Sequence, residues 1–242
     1  GCTRGSPAFH FSVDRPGKFK ARTTVNAENL VEKIESWVNS PVLGDMAVVT
    51  TYADYKDFGG VKFPTKITRT AGGFPALEAT VSEVKINAGP VAAPETIAPA
   101  TNDVKVDKLA DGVWFVTGGS HHSVAIEMAD HVVLFESPLG DGRAVAVIDA
   151  VKQTIPGKPI RSVVATHHHF DHSGGLRAAA AEDLTIVSHE SNQAYFAEAY
   201  AAPRTLGPDR LSKSGKAAKF QPVGDKLVLG DGARTLELHH VK

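Results

Sequence analysis

The sequence predicts an α+β fold, in which an N-terminal antiparallel β-sheet domain precedes a domain with αβ layering. Short stretches rich in β-branched and aromatic residues dominate the first third of the chain. A proline-rich segment follows, and beyond it strand-like stretches alternate with Ala-rich helical ones. We place the β-sheet domain at residues 1–87, a linker at 88–104 and the layered domain at 105–242.

The first domain is predicted from five stretches separated by Gly, Pro and Asp: "FHFSVD", "KFKARTTV", "MAVVTTYADY", "VKFPTKITRT" and "LEATVSEVKI". Their composition, and in several the alternation of apolar and polar residues, fits a half-buried pleated sheet. The stretch "ENLVEKIESWV" leaves two structures open. Leu30, Ile34 and Trp37 share a helix face, whereas Leu30, Ile34 and Val38 share a strand face.

The linker is predicted from the stretch "AGPVAAPETIAPATNDV". Its three prolines, Pro90, Pro94 and Pro99, prevent a continuous helix and remove backbone donors from any strand. The chain begins at Gly1 and reaches strand-like sequence almost at once, so we expect its natural N-terminus to lie upstream.

The second domain is predicted to contain seven strands: "VWFVTG", "HSVAIEMA", "HVVLFES", "IRSVVAT", "LTIVSH", "KLVLG" and "RTLELHHV". Helices are predicted around Asp141–Thr154, in "GGLRAAAAED" and in "ESNQAYFAEAYA". The basic segment that follows is predicted as a loop from Pro203 to Gly215. Such a loop either covers the site and favours an anionic substrate or is simply solvated, and solvated loops are commoner.

Composition excludes several functional classes. The chain has 26 Lys and Arg against 27 Asp and Glu, so its net charge of −1 gives no reason to expect nucleic acid or an anionic membrane as a partner. No apolar run approaches the roughly eighteen residues of a transmembrane helix. The single cysteine, Cys2, excludes an intrachain disulfide and a thiolate-rich zinc cluster.

A histidine cluster in the stretch "ATHHHFDHSGG" predicts a metal site. In an extended segment His167 and His169 leave the same face, so two imidazoles can meet one ion. His168 points away and is predicted either to pack or to support a metal ligand without binding the ion itself. Imidazole nitrogen suits zinc, and also iron or manganese.

The cluster continues with Asp171 and His172, where the chain turns toward the next predicted helix. These two side chains are predicted to reach a second ion. Ser173 is the predicted N-cap of the helix, and the two glycines after it are expected to supply backbone freedom.

His-X-His-X-Asp-His at the end of a strand, followed by Ser-Gly-Gly and a helix, resembles the signature of the metallo-β-lactamase-fold superfamily. The resemblance extends over about Val106 to Lys242. It implies the first portion of an αβ/βα domain, and two zinc ions with iron or manganese as alternatives. By this resemblance His167 and His169 belong to the first metal site, and Asp171 and His172 belong to the second.

The sequence departs from the family pattern at Glu136-Ser137-Pro138, where Asp-Thr-Gly is common. The resemblance also implies further ligands, a third histidine, a bridging aspartate and a last histidine, which we expect beyond Lys242. His239 or His240 is an alternative, although a strand points them to opposite faces. His189, at the end of a predicted strand, is predicted to pack or to line the substrate pocket rather than to be a ligand. His121 and His122 lie in a predicted Gly/Ser-rich turn, where one of them lines the pocket or, as is commoner, both are solvated.

The predicted function is a metal-dependent hydrolase of a small molecule of unassigned class. Metal-bound hydroxide attacks a carbonyl, phosphoryl or sulfuryl centre, and Asp171 acts as the catalytic residue that orients this nucleophile and shuttles its proton. Two alternatives stay open. One is an iron-loaded redox enzyme of the same fold, and the other is a non-catalytic periplasmic ligand-binding protein with a structural metal.

The front part of the chain, about Phe9 to Asn87, resembles a periplasmic lipoprotein-carrier domain. The resemblance is carried by "YKDFGGVKFPTKI" and "LEATVSEVKIN". It implies an exported, periplasmic protein. The alternative is a plain β-sheet domain, since a fold does not fix a function.

Overall fold

The computed structural model describes residues 9–90, 92 and 102–241. The chain forms two compact units. The first contains the N-terminal sheet together with Pro203–Gly207, and the second contains the other described residues from 102 onward. The greater part of the predicted linker, residues 91 and 93–101, lies outside the described residues, as do Gly1 and Cys2.

The first unit is a six-stranded antiparallel sheet in which each strand pairs with the next along the chain. Its strands are β1 (Phe9–Arg15), β2 (Phe19–Val25), β3 (Val31–Ser40), β4 (Gly44–Asp57), β5 (Lys62–Ala71) and β6 (Phe74–Thr80). The stretch that left helix and strand open is therefore a strand, β3. The predicted strand "LEATVSEVKI" is wrong in its second half, because β6 ends at Thr80 and residues 81–86 form no strand.

The segment Pro203–Gly207 is held to the first unit by polar contacts. The guanidinium of Arg204 is buried and donates to the carbonyl oxygens of Ser40, Pro41 and Val42. These bonds satisfy backbone acceptors at the turn that follows β3, where the strand ladder ends.

The second unit contains a mixed seven-stranded sheet and a separate two-stranded sheet. The larger sheet consists of β7 (Lys105–Ala110), β8 (Val113–Thr117), β9 (Ser123–Glu127), β10 (Val132–Phe135), β11 (Ile160–Val164), β12 (Thr185–His189) and β13 (Lys219–Val223). Strands β7 to β10 are antiparallel and β10 to β13 are parallel. The hairpin β14 (Lys226–Gly230) and β15 (Thr235–His239) forms the small sheet.

Two strands of the large sheet, β7 and β13, are absent from the sequence prediction. Both are edge strands. An edge strand is polar on its exposed side and tolerates proline, and β13 carries Pro222. Its sequence therefore lacks the apolar run that marks the central strands.

The described part of the second unit also contains five α-helices: α1 (Asp141–Thr154), α2 (Phe170–Ser173), α3 (Leu176–Ala181), α4 (Gln193–Ala201) and α5 (Arg210–Ser214). The predicted helix at Asp141–Thr154 is confirmed, as are those matched by α3 and α4. The predicted loop Pro203–Gly215 is wrong at α5, which Asp209 caps by accepting a hydrogen bond from the backbone N–H of Ser212.

The central strands bury both faces, as parallel strands usually do. Val132, Leu134 and Ile186 pack in the core that contains residues of the helices. Their neighbours Val133 and Val187 point to the opposite core, against which leucines of β14 and β15 pack. This is the αβ layering that the sequence predicts. In the parts of the chain that the structure describes, no helix is long and apolar enough to cross a membrane.

The topology brings three segments to one edge of the sheet. Strands β10 and β11 are parallel, so Glu136 and the histidine cluster both follow carboxyl ends. Because β9 runs antiparallel to β10, the loop that precedes β9 reaches the same edge. Ligand sites in open αβ sheets lie outside such carboxyl ends.

Candidate metal centre

The cluster begins in an extended segment after β11 and ends in the single turn α2. Ser173 is buried as the last residue of this turn, and its hydroxyl donates to the carbonyl oxygens of His168 and His169 at 2.8 and 2.9 Å. The prediction that Ser173 is an N-cap is therefore wrong. Its hydroxyl instead fixes the backbone of two histidines in the cluster.

The two glycines after Ser173 are needed for space rather than for backbone freedom. Gly174 and Gly175 have φ of −62° and −96°, which any residue adopts. A Cβ on Gly174 would lie 2.2 Å from the carbonyl oxygen of Leu139, and one on Gly175 would lie 2.6 Å from the Cβ of Ala144. The motif turn therefore packs directly on α1 and on the segment that precedes it.

The structure brings His167 close to two of the other predicted ligands. Its ring centroid lies 4.9 Å from that of His169 and 4.1 Å from that of His172. The ring of His168 instead lies 5.1 Å from the Tyr195 ring, which fits the predicted packing role. Three of the four predicted ligand side chains therefore lie together at one end of the sheet.

A residue outside the motif joins the second half of the cluster. Within the described residues, one group of three His, Cys, Asp or Glu has its ligand atoms within 4.8 Å of one another, and it consists of His121, Asp171 and His172. Asp171 Oδ2 lies 3.1 Å from His121 Nε2 and 3.6 Å from His172 Nε2. The sequence placed His121 in a turn without assigning it to this cluster.

Hydrogen bonds at Nδ1 orient three of the imidazole rings, those of His172, His167 and His121. His172 Nδ1 lies 2.9 Å from Glu136 Oε2, and a carboxylate there fixes the proton on Nδ1 and leaves the Nε2 lone pair free. His167 Nδ1 lies 3.0 Å from Thr166 Oγ1, and His121 Nδ1 lies 2.9 Å from Ser120 Oγ. Rings held in this way suit metal binding through Nε2.

Glu136 contacts the histidine cluster, although in the sequence it stands out only as a departure from a family pattern. Its other carboxylate oxygen accepts a hydrogen bond from the backbone N–H of Thr166 at 2.9 Å, and its backbone has φ of 65°. Such a backbone is uncommon for a residue other than glycine and often marks a functional site. The sequence feature that could have identified Glu136 is its position as an acidic residue directly after a buried strand, β10.

The electrostatics of the cluster favour ligand forms of its side chains. Burial and the nearby charge of His172 lower the pKa of His167, which favours neutral imidazole. Burial raises the pKa of Asp171, but a backbone hydrogen bond and the charges of His172 and His121 outweigh it and lower the pKa overall. A neutral imidazole and an ionised carboxylate are the forms that bind metal.

In the described part of the chain, four other histidines lie outside the group formed by His121, Asp171 and His172: His122, His189, His239 and His240. His189 stacks on His240 with ring centroids 3.8 Å apart, and its Nδ1 lies 2.7 Å from Ser191 Oγ. His239 Nε2 lies 2.9 Å from Glu237 Oε2. His122 is exposed and packs edge-on against Phe115.

Basic residues of the predicted Pro203–Gly215 loop bind acceptors of their own chain. Arg210 pairs with Glu182 at 3.4 Å, and Arg204 donates to backbone carbonyls of the first unit. Lys216, just beyond the loop, pairs with Asp183 at 3.2 Å. These pairs give no support to the interpretation that the loop attracts an anionic substrate.

Replacing Glu136 with glutamine is expected to weaken zinc binding by about 10- to 100-fold. Glutamine keeps the shape but removes the charge that fixes the His172 tautomer, and lost outer partners of metal ligands have effects of this size. Competition with a chromophoric chelator measures the affinity. Glu127→Gln is the matched control, because Glu127 pairs with Lys158 at 2.9 Å instead. Equal affinities for both variants would contradict the orienting role.

Comparison with known proteins assigns the second unit to a family. A family model described as the metallo-beta-lactamase superfamily matches residues 116–239, just over half of the chain. Two solved structures of metallo-beta-lactamases align with it. The one from Pontibacter korlensis is 19% identical and covers 56% of this chain and 59% of its own, with a TM-score of 0.43. The one from Hirschia baltica is 27% identical and covers 41% and 49%, with a TM-score of 0.37.

Two curated relatives are similar to part of the chain. The 2,4-dinitroanisole O-demethylase subunit alpha of Nocardioides sp. (strain JS1661) is 29% identical over 129 residues, which are 51% of this chain and 39% of the relative. A linear primary-alkylsulfatase of Pseudomonas sp. is 29% identical over 99 residues, which are 38% and 15%. The chain therefore spans less than half the length of these relatives.

Proposed function

Since this chain belongs to the metallo-beta-lactamase superfamily, we propose that it carries the metal-binding part of a dinuclear zinc hydrolase. The observation that supports the proposal is the convergence of imidazole and carboxylate ligand atoms at the carboxyl edge of the sheet. His167 and His169 hold the first ion, and Asp171 and His172 hold the second. When bound, two such ions acidify a water molecule and stabilise the oxyanion that forms on the substrate.

Asp171 is the proposed catalytic residue. It lies in the turn α2, just after the two backbone carbonyls that Ser173 binds, and its carboxylate is partly exposed between two imidazoles. In this position one carboxylate oxygen would bind the metal ion, and the other would accept a hydrogen bond from water. Its lowered pKa keeps the carboxylate ionised, as a proton acceptor must be before the reaction.

The proposed substrate is a small molecule in which oxygen joins an alkyl carbon to a second group. One relative is named an O-demethylase and another an alkylsulfatase. A methyl ether and an alkyl sulfate share this oxygen-bridged arrangement. Hydrolysis of either adds the elements of water across the bridge and releases an alcohol, so it needs no electron acceptor.

Metal content tests the proposed centre. We expect about two zinc ions per chain by elemental analysis of the intact protein, and loss of about one in His167→Ala/His169→Ala. His168→Ala is the matched control, because His168 packs against Tyr195. Retention of all zinc in the double variant, with the fold kept by circular dichroism, would contradict the assignment of these two histidines.

The oxygen requirement separates hydrolysis from the iron-dependent redox alternative. For a short alkyl sulfate, and likewise for an aryl methyl ether, we expect the turnover rate in air to equal the rate under anaerobic conditions. In both reactions labelled oxygen from water should enter a product. Turnover that needs oxygen, and that follows iron instead of zinc content, would contradict the hydrolase and support the redox enzyme.

A further inference from the structure

We infer that His121 is a third protein ligand of the second ion, together with Asp171 and His172. The inference rests on the proposed metal centre but adds a residue from outside the motif. His121 lies in the loop between β8 and β9, fifty positions before Asp171 in the sequence. This loop reaches the site because β9 runs antiparallel to β10.

The distances between the ligand atoms suit one small ion. Two ligands bound at about 2.0–2.1 Å in a tetrahedron lie about 3.3 Å apart. Asp171 Oδ2 is 3.1 Å from His121 Nε2 and 3.6 Å from His172 Nε2, so both separations lie close to that edge length. The two imidazole rings are nearly perpendicular, at 84°, and leave the carboxylate oxygen between them.

Access to the group is also suitable. The side chains of His121, Asp171 and His172 are 34, 30 and 32% exposed, so an ion reaches them from solvent. These three side chains would by themselves leave a tetrahedral ion one position short of a closed structural site. The set of two imidazoles and one carboxylate suits zinc and also iron.

The loop that carries His121 is anchored by a buried cation. Arg143 on α1 is 4% exposed, and its guanidinium donates to the carbonyl oxygens of Thr117 and His121 at 3.1 and 3.4 Å. At the other end of the loop, buried Ser123 donates to the carbonyl oxygen of Glu136 at 3.0 Å. Both ends of the loop are therefore fixed before an ion binds.

The alternative role of His121 is a hydrogen bond from Nε2–H to Asp171. Two substitutions separate the roles. His121→Ala removes both the ligand and the hydrogen bond, whereas His121→Gln retains a donor that reaches toward Asp171 but has no imidazole. A ligand role predicts that both variants lose affinity, and a hydrogen-bond role predicts that His121→Gln recovers it.

The experiment measures ion affinity at the second site in isolation. In intact protein carrying His167→Ala/His169→Ala, zinc affinity is determined by chelator competition, and the site is also loaded with Co²⁺ for its visible absorption spectrum. We expect His121→Ala and His121→Gln each to weaken zinc binding by more than about 10-fold and to alter the Co²⁺ bands. His122→Ala is the matched control from the same loop and should leave both unchanged.

The outcomes are distinct for the two proposals. Affinity and Co²⁺ spectrum that stay unchanged in His121→Ala, while His172→Ala abolishes binding, would overturn the inference and leave the proposed metal centre intact. Recovery in His121→Gln of both affinity and spectrum would also overturn it. Absence of zinc binding in otherwise unaltered intact protein would instead contradict the proposed function.

Discussion

Turnover by the intact protein is expected to fall by at least about 100-fold when Asp171 is replaced with asparagine. The amide keeps the size of the side chain but removes its negative charge and its capacity to take a proton. General acid–base groups contribute roughly 10²–10⁴-fold to rate. The structure places this carboxylate between His121 and His172. The substitution therefore removes a negative charge from the position where the ligand atoms of the cluster lie closest together.

The measurement is the turnover number at saturating zinc with a short alkyl sulfate or an aryl methyl ether. Zinc content is determined on the same samples, so that loss of metal is distinguished from loss of proton transfer. His168→Ala controls for changes within the motif, since the His168 ring contacts Tyr195. Full turnover in Asp171→Asn would exclude the proposed catalytic role.

The motif half of the candidate site was predictable because it is local in sequence. His167, His169, Asp171 and His172 fall within six consecutive positions, and strand geometry alone directs the first two to one face. The position of His121 beside Asp171 was not predictable in this way. It depends on a contact between the loop that precedes β9 and a motif fifty positions further along the chain, and no local pattern contains such a contact.

The same distinction applies to the fold. The central strands β10, β11 and β12 were predicted because burial on both faces requires a continuous apolar run. The edge strands β7 and β13 carry lysines and a proline and were missed. The roles of Ser173 and of the glycines were misjudged, because close approach to neighbouring backbone depends on tertiary packing.

Replacing Asp209 with alanine is expected to lower the free energy of unfolding by about 3–5 kcal/mol, the usual result of leaving one partner of a buried ion pair alone. Arg177 on α3 is 7% exposed in its side chain, and its Nε donates to Asp209, whose side chain is 12% exposed. Asp209 also caps α5 by accepting from the N–H of Ser212 at 2.8 Å. The substitution therefore removes the cap and leaves a buried guanidinium without its carboxylate.

The stabilisation by Asp209 is expected to depend on pH. Burial raises the pKa of Asp209, but hydrogen bonds from Arg177 and Ser212 and the charge of Arg177 lower it from 3.8 to about 2. The ionised carboxylate therefore stabilises the fold fully above the unfolded-state pKa, and this contribution is lost as the pH falls through about 2. Chemical denaturation measures the free energy of unfolding of Asp209→Ala and of the unaltered protein between neutral pH and pH 2. The difference between the two free energies should become smaller as the pH falls. Asp111→Ala is the control, because it removes an exposed ion pair with Lys108, and its free energy of unfolding is expected to stay close to that of the unaltered protein. An equal loss of stability in both variants would show that the buried ion pair is not the cause.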